Sequence, residues 1–220
     1  MDADDLAKSQ QIQSLATRVI SATEKAESAG RYLLGIVGPP GSGKSTLSQL
    51  LCDTINQHMQ EALCVVVPMD GFHLPNSVLE QRGLLPLKGI PQTFDAVAFI
   101  KLLHQLKAIP RQTVYFPRFD RAIEASIENA ITVTPSDRII IVEGNYLLLD
   151  SPPWDGIRPL LDEAWYLAIE PEVMHQRLVQ RHLEGGRTRA QAEEKIRSTD
   201  LPNAELIEKT RNRADLVIGD

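Results

Sequence analysis

Apolar residues recur along this chain in two rhythms, and each predicts its own kind of element. Short unbroken runs of Val, Ile and Leu read as strands buried on both faces, as in a parallel sheet. Five segments carry such runs: LLGIV (33–37), LCVVVPMD (63–70), DRIIIVEGNYLLL (137–149), EAWYLAIEP (163–171) and ADLVIGD (214–220). Elsewhere the apolar positions fall three and four residues apart, which predicts helices. Leu15, Val19, Ala22 and Ala26 do so in the polar segment 2–29, which closes at Gly30 and reads as an N-terminal amphipathic helix. Further helices are predicted from Lys44 to about Met59, over 171–184 and over about 189–211, the last two parted by Gly185-Gly186. Asp95 is placed to cap the helix DAVAFIKLLHQLKA (95–108), with Val97, Ile100, Leu103 and Leu106 on one side. The Gly- and Pro-rich segment 71–91 is mostly loop with a short helix around 76–82, and TVYFPRFDR and NAITVTP read as two short strands flanking an insertion.

Strands alternating with helices predict an α/β fold in which a central parallel sheet carries helices on both faces and binds ligands at its carboxyl edge. Residues 1–30 form a helical extension, and 31–220 form one domain with a small strand insertion. No repeat or low-complexity tract interrupts it.

The joint between the first strand and the next helix carries chemistry. Gly38-Pro39-Pro40-Gly41-Ser42-Gly43-Lys44-Ser45-Thr46 fits the spacing of a phosphate-binding loop, the mark of a P-loop NTPase. Its glycines allow backbone angles that turn successive amides onto an anion, while the following helix presents its positive end. Lys44 would reach the β- and γ-phosphates of ATP, and the Ser45 hydroxyl would ligate Mg²⁺. An ordinary Gly-rich turn is the competing reading, and the flanking strand and helix weigh against it.

Composition narrows the partners. With 220 residues and 43% hydrophobic content the chain can bury a full core, and no apolar run approaches the roughly 20 residues of a membrane span. No secretory leader pattern opens it, so a soluble, cytoplasmic protein without membrane contact is expected. A net charge of −6 argues against nucleic acid as a partner. The arginines at 177, 181, 187 and 189 are the one dense positive cluster, suited to ATP phosphates unless they are a solvated helix face. Cys52 and Cys64 lack metal-ligand spacing and read as buried thiols. The oligomeric state stays open, a homodimer included.

Two acids end apolar strands. Glu143 follows RIIIV, where an acid holds Mg²⁺ directly or through water, with a capping role as the alternative. Asp70 ends the strand after the P-loop helix, where it could accept the proton of an attacking hydroxyl or orient that hydroxyl; a turn residue before Gly71 is the alternative. His73 either contacts the acceptor or makes local hydrogen bonds. Tyr115, Arg118 and Asp120 are candidates to line the acceptor pocket, with core packing an even competitor for Tyr115 and Phe119.

The stretch PMDGFHLPNSVLEQRGLLPLKGIPQTFD brings a family into view. Asp70-Gly71-Phe72, Asn76, Arg82-Gly83, Lys88-Gly89 and Phe94-Asp95, with VEGNYLLLD (142–150) and TRNRADLVI (210–218), resemble the phosphoribulokinase/uridine kinase superfamily of P-loop kinases. Within it the chain is most similar to type I pantothenate kinases and related sugar-transport and nucleoside kinases, over about residues 31–218. The resemblance implies an ATP-dependent kinase acting on a hydroxyl of a small metabolite, with Asp70 as base, Lys44 and Ser45 on phosphate and Mg²⁺, and a lid near 181–190 whose Arg181 and Arg187 close over ATP. It also implies acceptor-binding roles for Asn76 and for Asn203, which matches an acceptor-binding asparagine. Arg118 departs from the Tyr-x-His arrangement of pantothenate kinases, and GFHLPN from the aromatic turn of uridine kinases, so neither acceptor follows. A P-loop ATPase or switch acting on a partner is the alternative function.

Overall fold

The structure, a computed structural model, describes residues 3–25 and 30–219; Ala26 of the predicted N-terminal face lies outside them. Strand β1 (Tyr32–Val37) lies at the centre of a five-stranded sheet, flanked by β5 (Ile139–Glu143) and β6 (Glu163–Leu167). Outside these lie β2 (Cys64–Pro68) and β7 (Leu216–Ile218), giving the order β2-β5-β1-β6-β7 with every pairing parallel. The unbroken apolar runs are explained by two cores. Leu33, Val37, Ile140 and Val142 face one, while Leu34, Ile36, Ile139 and Ile141 face the other.

The second core is closed by α2 (Lys44–Met59) and by α1 (Ala3–Lys25), whose Leu15, Ala16 and Val19 share that core with Leu51, Cys52 and Ile55 of α2. Arg18 of α1 pairs with Glu163, whose carboxylate also accepts from Tyr32 Oη and Trp165 Nε1, both at 2.7 Å. The first core is closed by α4 (Ala96–Leu106), with the Asp95 side chain accepting from the Ala98 amide as a cap. Its buried stripe is Ala96, Phe99, Leu103 and Leu106, and Val97 faces solvent. Of the expected stripe, Ile100, Leu103 and Leu106 pack against this core and only Val97 is corrected: strict three-residue steps drift about 60° off a face at 3.6 residues per turn.

The pair β3 (Val114–Asp120) and β4 (Ala125–Val133) forms a separate antiparallel sheet closed by a turn at 121–124. The hairpin therefore has a tight turn where a longer insertion was expected, because the first half of β4 is too polar to show as a strand. Beyond the short helix α3 (Asn76–Gln81) the chain is loop and single turns up to α4. Towards the C-terminus, α5 (Pro171–Glu184) is followed by α6 (Arg189–Lys195), a π-turn (Ile196–Asp200) and α7 (Leu201–Glu208). The expected single helix over 189–211 runs without a break from Arg189 to Glu208, but with a π-turn before Pro202, which has no amide hydrogen, so the wider turn absorbs the missing bond.

Candidate functional site

Parallel register brings the candidate residues to one edge. Ile36 of β1 and Pro68 of β2 both pair with Glu143 of β5, so the P-loop, Asp70 and Glu143 leave the sheet side by side. Close contact tightens this edge: a Cβ on Gly144 would lie 2.5 Å from Met69 Cβ, so only glycine lets the exit of β5 meet the residue before Asp70.

The loop itself is built around its glycines. A Cβ at Gly38 would lie 2.5 Å from the Leu167 carbonyl oxygen, and Gly41 and Gly43 hold left-handed backbone (φ 78° and 94°). That conformation turns successive amides to one side as an anion-binding nest. Pro39, Pro40 and Ser42 are buried, and Ser42 Oγ has no hydrogen-bond partner among the described residues. Lys44 is buried and donates to the Pro39 carbonyl at 3.0 Å. Burial pulls its pKa down to about 8, against the attraction of Glu143 and Asp70. Burial likewise pushes Glu143 above the usual carboxylate range, with the charge of Asp70 adding to it and Lys44 opposing. Ser45 Oγ donates to Glu143 Oε1 at 2.9 Å, while Thr46, one residue on, is exposed.

These donors fit the groups that a P-loop implies. A left-handed nest, a buried cation and an unpartnered buried hydroxyl suit the phosphates of ATP, and the Ser45 and Glu143 oxygens suit a hard cation such as Mg²⁺. The described residues hold no cluster of three His, Cys, Asp or Glu side chains that would cage a metal.

Around Asp70 the hairpin and the loop after β2 close in. A Cβ on Gly71 would fall 2.1 Å from the Pro117 carbonyl oxygen, so β3 lies directly on the turn after Asp70. Arg121 Nη2, from the hairpin turn, stands 3.9 Å from Asp70 Oδ2. His73 Nδ1 lies 2.8 Å from the Asp70 carbonyl oxygen, and its ring lies tilted between Phe94 and Phe119 at 4.1 and 4.6 Å between centroids. Burial lowers its pKa and favours the neutral ring. Asn76 accepts from Lys88 Nζ at 2.8 Å, and buried Asn203 donates to the Gly89 carbonyl at 3.1 Å. Tyr146 Oη donates to the same carbonyl.

The predicted residues are not all gathered here. Asp70, Lys44, Ser45 and Glu143 converge, and Arg181 shares the electrostatic surroundings of Lys44 and Asp70. Arg187 instead lies 3.3 Å from His182 Nδ1, at the end of α5. Tyr115 and Arg118 are exposed, and among the described residues neither is hydrogen-bonded to the groups around Asp70. Sequence reasoning passed over Arg121 and Tyr146. Arg121 follows Asp120 in a stretch already singled out, but only the hairpin aims it at Asp70. Arg177, noted as part of the arginine cluster, donates to the Gly41 and Ser42 carbonyls at 3.2 and 3.4 Å.

Residues 33–220 match the family described as Phosphoribulokinase / Uridine kinase. The chain belongs to this family. It is therefore a kinase, and family membership implies the use of ATP. A Schizosaccharomyces pombe protein named "Putative uridine kinase C227.14" is 34% identical over 99% of this chain and 93% of its own length. A pantothenate kinase of Limosilactobacillus reuteri is 27% identical, over 85% of this chain and 68% of its own. A solved structure from Silicibacter sp. TM1040, titled "putative fructose transport system kinase", is 41% identical with a TM-score of 0.85, covering 94% of this chain and 98% of the other. These likenesses agree with the P-loop kinase architecture, and no described helix is long and apolar enough to cross a membrane.

Proposed function

We propose that this kinase transfers the γ-phosphoryl group of ATP to a hydroxyl of a small metabolite, of the nucleoside, sugar or pantothenate-like kind. The observation that carries the reading is the placement of Asp70 beside Lys44 and Glu143 at one sheet edge, under a hairpin that walls off an acceptor side. Asp70 Oδ would take the proton of the acceptor hydroxyl as it attacks. When bound, ATP and Mg²⁺ supply the transferable phosphoryl group and neutralise the charge developing on its oxygens. Lys44 and the loop 38–46, through the N–H groups of its non-proline residues, would hold the phosphates, Ser45 and Glu143 would orient the metal, and Arg181 would reach the transferring group from α5 as part of a lid over 181–190. His73, Asn76 and Asn203 bound the acceptor side, Asn76 and Asn203 through the Lys88-Gly89 segment that they tie in place.

The test is ADP release from ATP and Mg²⁺ against nucleosides, sugars, pantothenate and related hydroxyl compounds. An acceptor-stimulated rate is expected. Asp70→Asn should keep ATP binding and lower that rate about 10²- to 10⁴-fold, the usual contribution of general-base assistance. The same ADP release with and without every acceptor would favour a hydrolysing switch, and an Asn variant within about tenfold of the parent would remove Asp70 as base.

A further inference from the structure

We infer that the acceptor carries an anionic group, a carboxylate or a phosphate, close to the hydroxyl that is phosphorylated, and that Arg121 binds it. The inference rests on the kinase reading above and adds the acceptor's chemical class. It starts from how the cations of the crevice are used. Arg177 is bonded to the Gly41 and Ser42 carbonyls, and Lys195 donates to the Pro86 and Lys88 carbonyls. Lys88 donates to Asn76 Oδ1 and to the Glu124 carbonyl, and sits 5.0 Å above the Phe119 ring. Arg187 meets His182, and Lys44 with Arg181 belongs to the phosphate side.

Arg121 has no such employment. Among the described residues its recorded partner is Asp70 Oδ2 at 3.9 Å, with side chains 60% and 36% exposed. That distance is too long for a hydrogen bond, and an exposed ion pair of this kind contributes little. All five guanidinium donors are therefore left for a ligand, in the planar fork that suits a carboxylate or a phosphate. Arg121 reaches Asp70 from the hairpin turn, and its charge is also felt at Arg181 and Lys44, so it stands where the acceptor side meets the phosphate side.

The turn that carries Arg121 is also held at the acceptor. Asp120 Oδ1 accepts from the Ala122 amide at 2.8 Å, Lys88 fixes the Glu124 carbonyl at 2.9 Å, and Ser126 Oγ reaches the His73 carbonyl at 3.4 Å. The contact between Gly71 and Pro117 seats β3 on the turn after Asp70. A hydroxyl at Asp70 thus brings its neighbouring substituent within reach of an unsatisfied guanidinium carried on a held turn. His73 offers no competing charge, since burial and its aromatic neighbours keep it neutral.

The test begins without choosing an acceptor. A small-molecule cell extract is incubated with γ-labelled ATP, Mg²⁺ and either the parent or Lys44→Ala, and parent-specific labelled products are identified by mass. A product bearing a carboxylate or an original phosphate beside the new ester is expected, and its identity tells the two anions apart. On that acceptor Arg121→Gln should cost roughly 10²-fold in kcat/KM, mostly as a higher acceptor KM with a far smaller change in the KM for ATP. Arg121→Lys should recover part of the loss. The matched neutral compound, an amide for the acid or the unphosphorylated parent, should be used poorly by the unmodified enzyme and no worse by Arg121→Gln. A neutral labelled product, or equal losses on charged and neutral acceptors, overturns the inference while the kinase reading stands. No labelled product at all overturns both.

Discussion

Lys44 is a cation that the fold buries at a cost. With its pKa lowered to about 8 from 10.5, the folded site gives up its proton in a pH range where the unfolded chain still holds one. Its contribution to stability therefore rises with pH between about 8 and 10.5 and is least favourable below 8. Lys44→Met should then melt higher than the parent at pH 7 without nucleotide, and that advantage should shrink at pH 9.5. Parallel melting curves at the two values check it; a constant difference would mean that the ammonium is not desolvated. The same variant should lose nearly all turnover, since nothing else in the loop can bring a charge to the phosphates.

Two elements position the chemistry from outside the sheet. The hairpin rests on Gly71, where the backbone angles are ordinary and the restriction is steric: a methyl group would lie 2.1 Å from the Pro117 oxygen. Gly71→Ala should shift the hairpin against Asp70 and lower acceptor-dependent kcat/KM on the order of 10²-fold, as misplacement near 1 Å does, with ATP affinity kept. Calorimetric ATP titration beside steady-state kinetics separates the two effects. At the end of α5, Arg181 lies in the field of Asp70 while Arg187, just beyond the helix, is engaged with His182. Arg181→Lys should therefore reduce kcat by removing the bidentate fork, and Arg187→Lys should reduce it less. Equal, full activity of both would return this cluster to a solvated helix face.

Across the whole molecule, α1 packs on α2 and the sheet, and none of its described residues is hydrogen-bonded or ion-paired to Lys44, Ser45, Asp70 or Glu143. Val19 is fully buried against α2 and the sheet, and Arg18 pairs with the largely buried Glu163. Val19→Asp puts an unpaired charge into that seam and should lower the melting temperature by roughly 5–15 °C. Activity measured well below the melt should stay within a few-fold of the parent. A collapse of activity at temperatures where the protein is folded would show that α1 shapes the site.

The sequence alone determined the elements whose signals are local. A β-branched run can be little else than a buried strand, and Gly38 to Ser45 announce a phosphate loop because glycines and a lysine at that spacing serve little else. Asp70 and Glu143 were legible as acids ending such runs, and register then set them side by side. Other features became visible only in three dimensions. The buried stripe of α4 depended on which side met Phe72, whose ring lies 4.7 Å from that of Phe99. Asn76 and Asn203 looked alike as acceptor ligands, and only the fold shows that each sets one amide atom on the Lys88-Gly89 segment. Arg121 carried no mark of its own, because its meaning comes from a hairpin turn brought within 3.9 Å of a residue 51 positions earlier. Contacts between residues so far apart in the chain are set by packing, and no local pattern of residue types records them.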